Sequence, residues 1–247
     1  MGHAFQVVRS ALFIGQMYLA MAVIGIGFAP WALLSNRGAR MACRSYSQWV
    51  RWTARWMVGL RSEVRGEVPT DDVLIAAKHQ SFLDIILIYA ALPRARFIMK
   101  QELLMTPIFG QYARRVGCIA VDRGKRGKAM KQMVAEVKQG RNNPGQLVIY
   151  AQGTRVAPGA RLPYKVGAGV LYGQFGLDCV PAATNVGVFW PRRGLLRRPG
   201  LAVVEFLPRI PAGMPISAFM AKLESDIESA SDRLMQEAGF QVQTDLN

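Results

Sequence analysis

Acidic residues are missing from the first quarter of this chain. Its first 62 residues carry seven arginines but no aspartate or glutamate, and the first acid is Glu63. Histidine is scarce, with two in 247 residues. The three cysteines, Cys43, Cys118 and Cys179, are odd in number and widely scattered. That excludes a disulfide framework and gives no zinc-ligand spacing, so no metal site is expected. Scattered thiols also fit a reducing compartment. No internal repeat or low-complexity tract is present, which excludes solenoids and disordered arrays. No familiar nucleic-acid motif accompanies the 31 basic residues that outnumber 16 acidic ones. The excess charge still implies a polyanionic partner, and nucleic acid is the second explanation after an anionic membrane surface.

What the first quarter does have is a long apolar run. Ser10 to Asn36 is 27 residues without a charge, long enough as a helix to cross a ~30 Å hydrocarbon core. The run is too long for a cleaved signal peptide. Arg37, Arg40 and Arg44 behind it outnumber Arg9 before it. Positive-inside bias then leaves the rest of the chain on the cytoplasmic side of the inner, cytoplasmic membrane. Gly25, Gly27 and Pro30 interrupt the run, so a two-helix anchor lying in one leaflet competes with a spanning helix.

From Arg40 to Leu60 two stripes alternate. Arg37, Arg40, Arg44, Arg51 and Arg55 gather on one side of a helical wheel, and Trp49, Trp52 and Trp56 on another. Arginine toward headgroups and tryptophan toward the acyl boundary suits an interfacial helix, whereas tryptophans packed on a core would look the same in sequence. Residues 1–65 are therefore assigned to a membrane anchor with an interfacial helix, and 66–247 to a second domain.

Beyond residue 70, strand and helix signals alternate. Val73–Ala77, Ala95–Met99, Leu147–Tyr150, Cys179–Val186 and Ala202–Phe206 read as strands. Phe82–Leu92, Pro107–Arg115, Gly127–Gln139 and Pro215–Ala238 read as helices. The alternation predicts an α/β fold, a mixed sheet covered by helices. Gln152 to Pro163 is the largest irregular piece and suits a binding loop.

Chemistry gathers around His79. It falls between a predicted strand and a predicted helix, five positions before Asp84. Such junctions are where α/β folds present reactive groups. An imidazole oriented by a carboxylate is a minimal general base. A core histidine satisfied by an aspartate is the other reading of the same spacing.

Three further blocks follow in order: Gly117-Cys118-Ile119-Ala120-Val121-Asp122-Arg123, then Gln152-Gly153-Thr154-Arg155, then Val180-Pro181. Together with His79 and Asp84 they resemble the lysophosphatidic acid acyltransferases, glycerolipid acyltransferases with a His-x4-Asp motif. The likeness runs from about residue 70 to 190. One position departs: the family's third block opens with glutamate where this chain has Gln152.

The resemblance implies transfer of a fatty acyl chain from a thioester to the sn-2 hydroxyl of lysophosphatidic acid. His79 would be the base and Asp84 its orienter. Lys100, Arg123, Gln152, Gly153, Thr154 and Arg155 would bind substrate, because arginine grips phosphate through two donors. The same arginines read alone are ordinary surface charges. The donor would be acyl carrier protein or coenzyme A thioester, a substrate rather than a cofactor. Gln152 keeps other acceptors open, a lyso-ornithine lipid or another lysophospholipid. A non-catalytic protein of the same fold, bound to a membrane surface or nucleic acid, is the alternative from another class. Finally, Phe189 to Arg198 packs four arginines into ten residues. It is expected to be an exposed loop facing lipid or an acidic donor carrier, since burying unpaired charge is costly.

Overall fold

The computed structural model describes residues 2–122, 126–139 and 145–241. Two long helices come first, α1 (His3–Leu34) and α2 (Asn36–Met57), joined at Ser35, whose side chain accepts from the Arg37 N–H at 3.1 Å. β1 (Leu60–Arg65), β2 (Leu74–Ala77), α3 (Leu83–Ala91) and β3 (Arg96–Lys100) follow. A 3-10 turn leads to α4 (Phe109–Arg115), β4 (Ile119–Val121), α5 (Arg126–Gln139) and β5 (Leu147–Tyr150). The chain closes with α6 (Gly167–Phe175), β6 (Cys179–Thr184), α7 (Val186–Phe189), β7 (Gly200–Phe206) and α8 (Ile216–Glu237).

The strands form one seven-stranded sheet in the order β1-β7-β6-β2-β5-β3-β4. Every neighbouring pair is parallel except β6 with β7. β2, β5 and β6 are buried along their whole length and read as unbroken apolar runs, as central strands covered on both faces must. One core cluster fills the face beneath α1–α3, around Phe13, Val58, Leu87 and Phe206. Another fills the face beneath α5, α6 and α8, around Leu171, Tyr172, Phe219 and Leu223. Full burial of such side chains contributes ~1.5–3 kcal/mol each.

The predicted strands and helices are present, with three refinements. β6 stops at Thr184, because the Thr184 hydroxyl caps Val186 N–H at 3.2 Å and starts the one-turn helix α7. α6 was not expected, its three glycines hiding the signal. Gly169 lets α6 lie against α8, since a Cβ there would sit 2.8 Å from Ile216. β1 is likewise a strand not expected from the sequence. β1 belongs to the sheet, paired in parallel with β7 from Leu60↔Gly200 onward, so the sheet begins before residue 66. The alternating LRSEVR of this edge strand carries too much charge to stand out.

α1 is buried along one stripe only, through Gln6, Ser10, Phe13, Met17, Gly25 and Ala32. Gln6 Nε2 donates to the carbonyls of Val58 (3.0 Å) and Arg197 (2.7 Å), and the Tyr112 hydroxyl donates to that of Gly25 at 2.6 Å. The helix is thus tied down near both ends. Its opposite face exposes Val8, Leu12, Leu19, Val23 and Ile26. Trp49, Trp52 and Trp56 of α2 are 41–56% exposed and touch one another in tilted and edge-on contacts, so they point outward and are not core. Of the arginine stripe, Arg44 donates to the Leu92 carbonyl and Arg51 to the Ser62 hydroxyl, both at 3.0 Å, so two of the five serve the fold.

The arginine-rich loop needs a correction. Arg192, Arg193 and Arg198 are exposed as expected, but Arg197 is 7% exposed. Its guanidinium lies 4.4 Å from the centre of the Trp190 ring and donates to the Gly194, Leu195 and Leu196 carbonyls. Burial lowers its pKa to about 10. Ring face and carbonyls replace water around this cation, which the sequence does not reveal.

Candidate active site

The site is built at the C-terminal end of β2. Ala77 ends the strand, Lys78 and His79 leave the sheet, and α3 begins at Leu83. Asp84, in the first turn of α3, is fully buried, and four donors converge on it. Its Oδ2 accepts the Gln80 and Ser81 N–H groups, both at 2.8 Å. Its Oδ1 accepts the Tyr150 hydroxyl at 2.9 Å and faces His79 Nδ1 at 2.9 Å. A carboxylate at a helix N-terminus takes up backbone N–H groups that the helix leaves unpaired.

That arrangement fixes the imidazole. Nδ1 donates to Asp84, so Nε2 carries the lone pair. The ring is further held by Tyr150, whose ring stacks on it with centroids 3.8 Å apart and planes 16° apart. Tyr150 ends β5, beside β2. Burial, the Asp84 charge and the hydrogen bond to Asp84 together push its pKa well above the usual range, so it stays a donor. Sequence reasoning placed Tyr150 in a strand and assigned it no role. Its one signal is its position at a strand end, two residues before Gln152.

His79 opens onto a cavity of about 370 Å³. Most of the wall is apolar, supplied by α1, α2, α3 and β3 through residues such as Met21, Ile24, Ile85, Tyr89 and Phe97. His79, Lys100, Thr154, Arg155 and Arg192 also line the cavity. Arg192 Nη1 also donates to the Arg155 carbonyl at 3.1 Å, joining the arginine loop to the third block. Among the described residues, Lys100, Arg155 and Arg192 make no salt bridge. The arrangement suits an apolar chain with an anionic head beside the imidazole.

Three of the residues expected at the site line this cavity with His79: Lys100, Thr154 and Arg155. Asp84 reaches it only through its contact with the imidazole. Gly153 shapes the loop at φ +68°, where a Cβ would meet Lys165 at 2.9 Å. Gln152 does not reach the cavity. It is 2% exposed, its Nε2 donates to the Leu162 carbonyl at 3.1 Å, and its Oε1 has no protein partner. In this structure the amide braces the loop from inside. Arg123 lies outside the described residues.

The side chains available for covalent catalysis are poorly suited to it. Ser81 is fully buried and its hydroxyl accepts the Leu83 N–H at 3.2 Å. Burial pushes the thiols of Cys43 and Cys118 in the cavity wall to about 12 and about 11, and that of Cys179 to about 12. Thiols so raised stay protonated and are weak nucleophiles. No cluster of metal-ligating side chains occurs among the described residues.

Residues 61–185 match the Acyltransferase family. Over 94% of this chain and 92% of the relative, it is 27% identical to a 1-acyl-sn-glycerol-3-phosphate acyltransferase of Pseudomonas aeruginosa. A lyso-ornithine lipid O-acyltransferase of the same organism is 33% identical over 55% of this chain and 53% of that one. The fold is shared with the crystal structure of the 1-acyl-sn-glycerophosphate (LPA) acyltransferase PlsC from Thermotoga maritima, with a TM-score of 0.74 at 17% identity, covering 92% of this chain and 97% of that one. With a matching family domain over residues 61–185, half its length, the chain belongs to the acyltransferase family.

Proposed function

We propose that the protein transfers a fatty acyl chain from an acyl thioester to the sn-2 hydroxyl of lysophosphatidic acid, yielding phosphatidic acid. The observation that carries this reading is the His79–Asp84 pair at a largely apolar cavity that Lys100, Arg155 and Arg192 also line. His79 Nε2 accepts the proton of the acceptor hydroxyl as its oxygen attacks the thioester carbonyl. Asp84 stabilises the imidazolium that forms. As the tetrahedral adduct collapses, the C–S bond breaks and the imidazolium returns its proton to the leaving thiolate. No acyl-enzyme is needed, in keeping with the buried Ser81 and the raised thiols.

A cationic rim favours an acceptor with a phosphate. An ornithine headgroup brings an amine as well as a carboxylate, so it gains less from three cations. The donor is a thioester of acyl carrier protein or coenzyme A, and the exposed Arg192, Arg193 and Arg198 suit an acidic carrier. The anchor lies in one leaflet of the cytoplasmic membrane. A spanning α1 would lose the contacts at Gln6, Phe13, Met17 and Gly25, whereas a helix resting on the bilayer keeps them and buries Val8, Leu12, Leu19 and Val23 in lipid.

Acyl transfer by the full-length protein, with lysophosphatidic acid and lyso-ornithine lipid in parallel, tests this reading. The expected result is activity with the phosphate acceptor that falls by at least ~10²-fold in His79→Ala. Preference for lyso-ornithine lipid would reassign the acceptor, and near-normal turnover in a folded His79→Ala protein would remove the mechanism.

A further inference from the structure

Lys78 precedes the base, yet its side chain runs away from the cavity and is 1% exposed. Its Nζ donates to both carboxylate oxygens of Glu228, at 2.6 and 2.5 Å. Glu228 stands in the middle of α8, 150 residues later in the chain, and is 7% exposed. The same carboxylate accepts the Tyr164 hydroxyl at 2.9 Å and a hydrogen bond from Arg161 Nη1, while Arg161 Nη2 reaches Asp232 on the next turn. Two cations and two anions are balanced, with Lys78 and Glu228 buried and Arg161 on the solvent side.

The segments joined here flank the site. Lys78 directly follows the strand that presents His79. Arg161 and Tyr164 belong to the loop after β5, which carries Thr154 and Arg155 into the cavity. That loop has no regular structure of its own. Near the site it is held by Val156 N–H donating to the His79 carbonyl at 2.7 Å, and at its far end by Lys165 N–H donating to that of Ala151 at 2.8 Å. Between these points, the Gln152 amide and Glu228 supply the side-chain ties.

We propose that Glu228 is a positioning residue for the acceptor side of the site, clipping the loop that carries Thr154 and Arg155 to the strand end that presents His79. The inference rests on the reading of Arg155 as an acceptor contact. A paired buried carboxylate with three donors has one low-energy arrangement, and removing its charge leaves Lys78 unbalanced and the loop untied. The apolar wall comes from α1–α3 and β3, which this network does not touch, so the acyl donor should not sense the change.

The test uses the full-length protein with Glu228→Gln, Arg161→Met and Arg161→Lys. Because the Arg161 side chain is 52% exposed, its variants keep the fold even where Glu228→Gln does not. Both disruptive changes should speed amide hydrogen exchange over residues 152–164 and raise the acceptor KM roughly ten-fold, with the donor KM within about two-fold of wild type. Arg161→Lys, which keeps the charge, should recover most of the loss. Unchanged exchange in the loop, or an equal loss for donor and acceptor, overturns the proposal. Faster exchange with an unchanged acceptor KM also overturns it, and Arg155→Ala assayed in parallel says why. A raised acceptor KM in Arg155→Ala then faults the clip alone, and a normal one faults the reading of Arg155.

Discussion

The Tyr150 hydroxyl donates to Asp84 Oδ1 at 2.9 Å, the same oxygen that faces His79 Nδ1. One carboxylate oxygen therefore serves both the imidazole and a buried phenol on the neighbouring strand.

Tyr150→Phe separates the two contacts that Tyr150 makes. Phenylalanine keeps the ring stacked on His79 and removes the hydroxyl. A buried hydrogen bond to a charged group is worth about 1.5–3 kcal/mol. The expected outcome is a lower melting temperature and a drop in kcat, with smaller changes in either KM. Tyr150→Leu, which also loses the stack, should cost more. Equal kcat in Tyr150→Phe and wild type would confine Tyr150 to packing.

Arg155→Ala should raise the KM for a phosphate-bearing acceptor and leave the donor KM nearly unchanged. Loss of a charge-assisted contact is worth on the order of 1.5–3 kcal/mol, a decade or two in kcat/KM. A shift in the donor parameter instead would move Arg155 to the thioester side.

Gln152→Glu is predicted to act on stability and not on acceptor choice. The Gln152 Nε2 donates to the Leu162 carbonyl, and a carboxylate has no proton to offer there. With 2% exposure, the change leaves a buried acceptor against a buried acceptor, at a cost of about 1–3 kcal/mol. Thermal unfolding should show the loss, while the ranking of acceptors stays that of wild type. A changed ranking would put Gln152 in touch with substrate.

Stability should fall on the alkaline side. Cys43, Cys118 and Cys179 are raised in the folded protein from the ordinary 9.0 to about 12, 11 and 12 by burial. Above the ordinary value the unfolded chain releases protons that the folded chain keeps, so the unfolded state gains. The melting temperature should be level between about pH 7 and 8 and decline from about pH 9 upward. Cys43→Ala together with Cys118→Ala should flatten that decline. A melting temperature that does not vary with pH between 8 and 10.5 would contradict the burial of these thiols.

Much of the fold is legible because its signals are local. β2, β5 and β6 are short apolar runs, and a strand covered on both faces needs no more than that. α3 and α8 declare themselves through residues within a few turns. His79 and Asp84 are five positions apart, so a single turn of chain brings them together, and spacing alone predicts their pairing. The edge strand β1 and the glycine-bearing α6 gave no such signal, since each is stabilised by what it packs on, β7 in one case and α8 in the other.

What the sequence by itself determined, then, is the alternation of elements, the anchor's apolar and basic character, and the two residues at the heart of the site. Tertiary structure decided the rest, because each remaining feature depends on a partner far along the chain. Tyr150 meets Asp84 across 66 residues, and Lys78 meets Glu228 across 150. Arg197 is buried only because Trp190 and three carbonyls enclose it, and Gln152 turns inward only because Leu162 folds back over it. Whether a polar side chain faces water, substrate or its own backbone is a balance of desolvation against the partners that folding supplies, and those partners are not written in its neighbours.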